Sequence, residues 1–421
     1  MQNYYLNNNY FKKEVFFFLF LYTSLIIGFI LGENSTGGAL IDYSNQKTIS
    51  QKFVLNFNET LLKYDSFSSR HSPILIIFLS FLEKMSFSDE LVRIIHLHVC
   101  LLLPIIFYKI LILKFGVKYR DFLILLTGLI FLSPTFRTLS IWPDSRLLGL
   151  LIFSISILYY LKFAKYKKFS FALLNILTCA LSAYISPNFA LFSIFFLTNY
   201  ILNYGLISKK ITIVLIINII LAFPAFYYIF VLDVNFINKP AAIGLTTEDK
   251  ILFVNFFNNI ILTFSIFFFY IIPFVTTKII NFENLPNFKI IIFSSILFLV
   301  LIYNFDYNYD FSGGGIFFKI SYFLFENNYL FFFISFFSIL LTITLIKRDI
   351  FNIFLFLLII LNNPQYTIYH KYFDPFLLIA FFSLFNFKIS LEGVENKSLI
   401  FLYMYFLIFL IISNLKFIWT T

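Results

Sequence analysis

Long runs of apolar residues recur from one end of this chain to the other, and they decide where it can fold. Hydrophobic residues make up 60% of the 421 positions and charged residues 12%, whereas a soluble domain carries about 25% charged residues. A helix of about twenty apolar residues crosses the ~30 Å hydrocarbon core of a bilayer. The sequence therefore predicts an all-α, polytopic transmembrane bundle that forms one integral membrane domain over residues 1–421.

Counting apolar runs by length predicts about thirteen spans. The first run follows Lys12 and Lys13 and is too long for the apolar part of a signal peptide, so we interpret it as the first transmembrane helix. The predicted spans cover residues 15–32, 90–113, 121–137, 145–163, 170–185, 188–206, 211–232, 251–275, 290–303, 328–346, 349–361, 375–388 and 398–415.

The basic residues predict an orientation. The net charge is +10, but the Lys and Arg residues fall in short loops between apolar runs, which is typical of membrane orientation and not of a nucleic-acid groove. The positive-inside rule predicts a cytoplasmic N-terminus and acid-rich loops on the other face. Phe, Ile, Asn and Lys are abundant, as in proteins encoded by AT-rich genomes, and this fits a bacterium. We therefore expect a bacterial inner membrane protein whose acid-rich face lies in the periplasm.

One apolar run, residues 73–82, is too short to cross. Ten residues give roughly 15 Å of helix, about half of a bilayer core. The alternation of basic and acid-rich loops along the chain also holds only if residues 73–82 do not cross the membrane. We therefore predict short interfacial helices within the first outer loop, residues 33–86, and expect this loop to form part of a site.

The first outer loop supplies candidate chemistry. Asp42, in "GGALIDYSN", could act as a general base for an acceptor hydroxyl. Arg70 and His71, in "SSRHSP", stand where Pro73 favours a helix start, and a helix N-terminus beside cations suits a phosphate. The alternatives stay open: spacing alone favours Asp42 as a solvated loop residue, and the short helix is interpreted alternatively as an ordinary interfacial one.

Two later outer segments add cations beside aromatic residues. One is "SPTFRTLSIWPDSR" and the other is "NNPQYTIYHKYFDPF". Cationic side chains at head-group depth could hold a lipid phosphate, or could simply extend toward the interface. The candidates for phosphate or substrate binding in these segments are Arg137, Asp144, Arg146, His370, Lys371 and Tyr372.

The sequence assigns no metal site. Asp306 and Asp310 resemble a loose metal loop but match no established pattern. Cys100 and Cys179 lie in apolar runs, where cysteine is usually a small core residue. No cofactor is assigned, and a divalent metal is left open.

The quoted segments resemble those of the GT-C membrane glycosyltransferases. In the family-39-type and aminoarabinose-transferase-type members, a His-Pro-Pro or His-x-Pro sequence opens an interfacial helix, and "RHSP" with the later "ELVRIIHLH" is similar. "LSPTFRTLSIWPDSR" and "YHKYFDPFLLI" are similar to a later helix turn and to a Tyr-rich segment of the family. The similarity covers the first half of the chain more fully than the second.

The resemblance implies transfer of a sugar from a polyprenyl-phosphate donor on the extracytoplasmic face. It implies that an acid of the first outer loop is the base, and Asp42 stands in that place. Many relatives carry two adjacent acids there, whereas Tyr43 follows Asp42, so Asp65 is kept as reserve. The implied partners are the lipid-linked donor, membrane lipids and a glycan, lipid or protein acceptor, with no nucleic acid.

Two other functions fit the same composition. A transporter or lipid flippase predicts ionisable residues in the middle of spans and two matching halves, but the spans hold few charges and no repeat is visible. A polymerase or ligase of surface glycans predicts a large outer loop late in the chain. Here the largest polar segment, residues 33–72, comes early.

Overall fold

The computed structural model describes residues 8–67, 69, 71–235, 255–282, 286–309, 313–365 and 367–420, without the side chains of residues 8–14 and 416–420. Within these ranges the protein is all-helical, and its β pairing is one isolated bridge between Ile280 and Ile389. The helices are α1 (Asn8–Ile30), α2 (Ala39–Leu55), α3 (Phe57–Leu62), α4 (Pro73–Lys84), α5 (Asp89–Cys100), α6 (Leu102–Phe115), α7 (Arg120–Gly128), α8 (Pro134–Ile141), α9 (Ser145–Tyr166), α10 (Phe169–Ile185), α11 (Phe192–Tyr204), α12 (Lys209–Phe226), α13 (Phe256–Thr276), α14 (Phe288–Tyr303), α15 (Gly315–Phe325), α16 (Tyr329–Ile346), α17 (Ile350–Leu361), α18 (Phe376–Ser383) and α19 (Asn396–Thr420).

Several of these helices are long and apolar enough to cross a membrane. Among the described residues there are six: Asp89–Phe115, Ser145–Tyr166, Lys209–Val231, Phe256–Thr276, Tyr329–Ile346 and Asn396–Leu415. A pair bent by 64°, Val117–Leu132 with Pro134–Ile141, makes a seventh if it is one span. The predicted multi-pass helical membrane protein is therefore confirmed at this level.

The predicted number of thirteen spans is not confirmed. Four apolar helices have between 10 and 17 residues: Phe169–Ile185, Phe288–Tyr303, Gly315–Phe325 and Ile350–Leu361. In α1, the apolar part with described side chains is Val15–Ile30. At 1.5 Å per residue, even 17 residues reach only about 26 Å. The predicted span 375–388 is not a span, because α18 has eight residues, all buried, and packs against α6, α9 and α13.

The predicted short helix is present as α4, with Pro73 in its first turn. Ser72 caps it by accepting a hydrogen bond from the backbone N–H of Ile74, at 3.4 Å. Leu75 and Leu79 are buried, and α4 packs along α2. The first predicted outer loop, residues 33–86, thus folds into the three helices α2, α3 and α4. Residue 42 lies in α2, and residue 71 lies between α3 and α4.

A buried ion pair fixes α1 against α8. Arg137 Nη2 lies 2.6 Å from Glu33 Oε2, and both side chains are 8% exposed. Arg137 also donates to the hydroxyl and the carbonyl of Ser24, at 2.8 and 2.9 Å. A Cβ atom on Gly28 would come within 2.9 Å of Arg137 Nη2, so the pair needs glycine at this position of α1.

Candidate functional site

Five polar residues from three distant parts of the chain meet at one end of the bundle. We call Asp42, His71, Asp144, Arg146 and Lys371 the polar cluster. Asp42 lies in the first turn of α2, His71 just before α4, and Asp144 and Arg146 at the start of α9. Lys371 lies in a 3₁₀ turn, His370–Tyr372. Helix starts therefore position most of these side chains.

Asp42 is held by two cations. Lys371 Nζ donates to Asp42 Oδ2 at 2.9 Å, across 329 positions of sequence, and Arg146 Nη2 lies 3.7 Å from the same oxygen. Burial by itself would raise the pKa of Asp42, but Lys371, Arg146 and His71 together lower it below the ordinary aspartate value. Asp42 is therefore an ionised carboxylate at neutral pH, and its side chain is 28% exposed.

His71 is neutral at physiological pH. Its Nδ1 lies 3.2 Å from Ser145 Oγ, and its backbone carbonyl accepts a hydrogen bond from Tyr64 at 2.9 Å. Burial lowers the pKa of His71 below its ordinary value, and the opposing pull of Asp144 does not restore it. The neutral imidazole therefore has an unprotonated ring nitrogen that can accept a hydrogen bond or bind a metal.

Asp144 and Arg146 each have an unbonded polar atom inside the cluster. Asp144 is 1% exposed and caps α9 through Oδ1, which accepts from the backbone N–H of Arg146 at 2.7 Å. Its Oδ2 and Arg146 Nη1 are buried and have no hydrogen-bond partner among the described residues. The guanidinium carbon of Arg146 lies 5.1 Å from the ring centre of Tyr372. Such unsatisfied buried atoms indicate a place where a ligand could bond.

Three residues of the cluster could hold a metal ion. Asp42, His71 and Asp144 each offer one ligand atom, and these atoms lie within 4.8 Å of one another. Two carboxylates and an imidazole suit Mn²⁺ or Zn²⁺. Lys371 already bonds to Asp42, however, so an incoming cation meets a positive neighbour. Sequence reasoning assigned no metal here because the three residues share no spacing motif.

A narrow cleft opens beside the cluster. It is small and partly open to solvent. Its wall combines the cations of the cluster with small polar and apolar side chains. The lining residues that matter below are Thr135, Arg146, Ser186, Asn188, Asn362, Lys371, Tyr372 and Asp374.

Of the other predicted site residues, Arg137 and His370 are not members of the polar cluster, and Tyr372 lies beside it. Arg137 is bonded to Glu33 inside the bundle, so it does not join the cluster as predicted for a phosphate ligand. His370 points toward Tyr270, whose hydroxyl lies 3.2 Å from its Nδ1. Tyr372 contributes its ring to the cluster, and its hydroxyl donates to Gln365 at 2.8 Å. These positions follow from packing that sequence spacing does not reveal.

The reserve base Asp65 and Asp306, from the loop that only loosely resembles a metal loop, are also separate from the cluster. Asp65 lies in the 3₁₀ turn Tyr64–Phe67 and interacts electrostatically with Tyr228. Asp306 Oδ1 accepts from Asn258 Nδ2 at 2.7 Å. Asp310 and the predicted phosphate ligand Arg70 lie outside the described residues.

Sequence reasoning missed Ser145 and the amides of the cleft, Asn188 and Asn362. Two signals could have found them. "PDSR" is a helix-start pattern that places Ser145 beside a capping aspartate, and "NNP" ends the apolar run of α17 with two amides.

Comparison of the chain with protein-family models, with curated proteins and with solved structures finds no match. The site must therefore be interpreted from its own geometry.

Proposed function

We propose that this protein is a membrane glycosyltransferase that moves a sugar from a polyprenyl-phosphate donor to an acceptor hydroxyl. The observation that carries the proposal is the pairing of one carboxylate, Asp42, with two cations, Lys371 and Arg146, that both line a narrow cleft. The proposal puts this site on the extracytoplasmic face of a bacterial inner membrane, with the N-terminus in the cytoplasm. The acceptor is a glycan, a lipid or a protein.

The charges of the cluster suit a displacement at the sugar carbon. The acceptor oxygen forms a bond to that carbon, the bond from carbon to phosphate oxygen breaks, and its electron pair leaves on the lipid phosphate. Lys371 and Arg146 stabilise that phosphate. The acceptor proton passes to Asp42. As Lys371 turns from Asp42 to the phosphate, the carboxylate loses the cation that lowers its pKa, and it becomes a stronger base.

An apolar stripe beside the cluster supports a lipid-linked donor. Ile74, Phe78 and Phe81 on α4 are 39%, 49% and 59% exposed, and they follow the i, i+4, i+7 spacing of one helix face. The stripe begins three residues after His71. An isoprenoid chain lying along it would bring its phosphate to the start of α4, where Ser72 and Pro73 open the helix.

The test is a transfer assay with the protein in lipid nanodiscs and labelled sugars on polyprenyl phosphate. Asp42→Asn keeps the size of the side chain and removes the base, so we expect kcat to fall at least ~100-fold. Asp65→Asn is the matched control, since it removes a carboxylate of the same loop, and it should leave kcat unchanged.

Full activity of Asp42→Asn would exclude Asp42 as the base, and loss of activity in Asp65→Asn instead would identify the reserve. Movement of labelled lipid across the bilayer without any glycosylated product would support the transporter or flippase alternative. Extension of an existing glycan in repeated units would support the polymerase alternative.

A further inference from the structure

The amide of Asn362 lies in the wall of the cleft. The residue is 4% exposed, and its Oδ1 is buried without a hydrogen-bond partner among the described residues. It lines the same cleft as Arg146 and Lys371. A buried amide oxygen without a hydrogen bond is unfavourable. Because Asn362 lies in the wall of a cleft, a bound ligand would supply the missing hydrogen bond.

The neighbouring amides form a fixed polar wall. Asn188 Nδ2 donates to Asn363 Oδ1 at 3.1 Å. Asn363 is 1% exposed, and its Nδ2 has no partner among the described residues. Asn259 Nδ2 donates to the carbonyls of Asn363 and Gln365, at 3.2 and 3.1 Å. The end of α17 is thus held by side-chain amides. Of these residues, Asn188 and Asn362 line the cleft, where an amide suits hydroxyl groups that both donate and accept.

We propose that the cleft is the subsite for a neutral, hydroxyl-bearing ring joined to the phosphate, and that Asn362 recognises one of its hydroxyls. The inference rests on the proposed function, because it names the class of sugar on the donor. Arg146 and Lys371 bind the phosphate at one side of the cleft, and the uncharged amides contact the ring at the other.

The same wall discriminates against an amino sugar. A protonated amine would be repelled by Arg146 and Lys371. The carboxylate among the residues that line the cleft is Asp374, which is 5% exposed, and its Oδ2 already accepts from Ser133 Oγ at 2.6 Å and from the backbone N–H of Thr135 at 3.1 Å. The preferred sugar on the donor is therefore neutral.

The experiment measures binding to the full chain in nanodiscs. The probes are polyprenyl phosphate, the same lipid carrying a neutral hexose, and the same lipid carrying an amino sugar. The variant is Asn362→Leu, which has nearly the same size. The control is Asn218→Leu, whose amide, among the described residues, bonds to Val214 of its own helix α12.

We expect the neutral hexose to improve the affinity of the lipid for the wild-type protein and for Asn218→Leu. Asn362→Leu should lose ~3- to 10-fold of that affinity, while its binding of bare polyprenyl phosphate stays unchanged. Since no bond is broken, its melting temperature should hold or rise. A merely structural amide would instead lower the melting temperature and leave the affinities in place.

Three results would overturn the inference. One is equal affinity of the wild type for the bare lipid and the hexose lipid, which would leave the phosphate site of the proposed function intact. Another is tighter binding of the amino-sugar lipid than of the neutral one. The third is no binding of any of the three lipids, which would refute the proposed function as well.

Discussion

Replacing Arg137 by methionine is expected to destabilise the fold by about 3 to 4 kcal/mol at pH 7. The substitution leaves Glu33 as a buried carboxylate, 8% exposed, without the guanidinium that bonds to both of its oxygens. Breaking a buried pair by removing one partner typically costs about 3–5 kcal/mol, because the other charge stays behind.

The destabilisation depends on pH because the Glu33 carboxylate, left without its partner, can be neutralised. It can take up a proton, and protonating an ordinary glutamic acid costs roughly 3.7 kcal/mol at pH 7 but only about 1 kcal/mol at pH 5. The unfolded chain keeps the residue ionised over this range, so the folded state binds the extra proton. The destabilisation of Arg137→Met should therefore shrink as the pH falls.

The measurement is reversible unfolding in mixed micelles at pH 7 and pH 5. Glu33→Gln combined with Arg137→Met should recover most of the loss, since neither charge is then stranded. Lys118→Met is the matched control on an exposed pair, whose Lys118 Nζ lies 2.9 Å from Glu392 with both side chains more than 70% exposed, and it should change little. The reasoning is refuted if Arg137→Met is as stable as the wild type and loses lipid-phosphate binding instead. Arg137 would then belong to the anion site, as the sequence predicted.

Two further predictions concern the polar cluster. Lys371, Arg146 and His71 face Asp42 and lower its pKa, so the stability it contributes is fully present above its unfolded pKa and is lost as the pH falls through the folded value. Asp42→Asn should therefore flatten the acid limb of melting temperature against pH, and an unchanged limb would contradict this. Lys371→Met removes the cation bonded to Asp42, so binding of Mn²⁺ or Zn²⁺, followed by calorimetry, should become tighter, and a weaker or unchanged affinity would exclude a metal at Asp42, His71 and Asp144.

The sequence predicted the class of fold and much of the site. Apolar runs with basic loops require a multi-pass helical bundle, and this needs no tertiary information. The Ser72-Pro73 corner predicted a helix start, and α4 begins there. Asp42 and Lys371 were both candidates from their positions at the ends of apolar runs, and they bond directly to each other.

The number of spans could not be predicted in the same way. Hydropathy reports that a segment avoids water, but protein and lipid satisfy that requirement equally well. The buried helix α18 is as apolar as any span, yet it has only eight residues and lies against α6, α9 and α13. Apolar composition alone therefore overestimated the spans.

What the sequence by itself determined is the environment of the chain and the polar loops that could carry chemistry. Only the tertiary structure decided which charges meet. Arg137 and Arg146 lie in one short segment, but the turn between α8 and α9 sends Arg137 to Glu33 in the bundle and Arg146 to Asp42 in the cluster. The reason is physical: charges interact over a few ångströms, and the packing of helices far apart in sequence sets those distances.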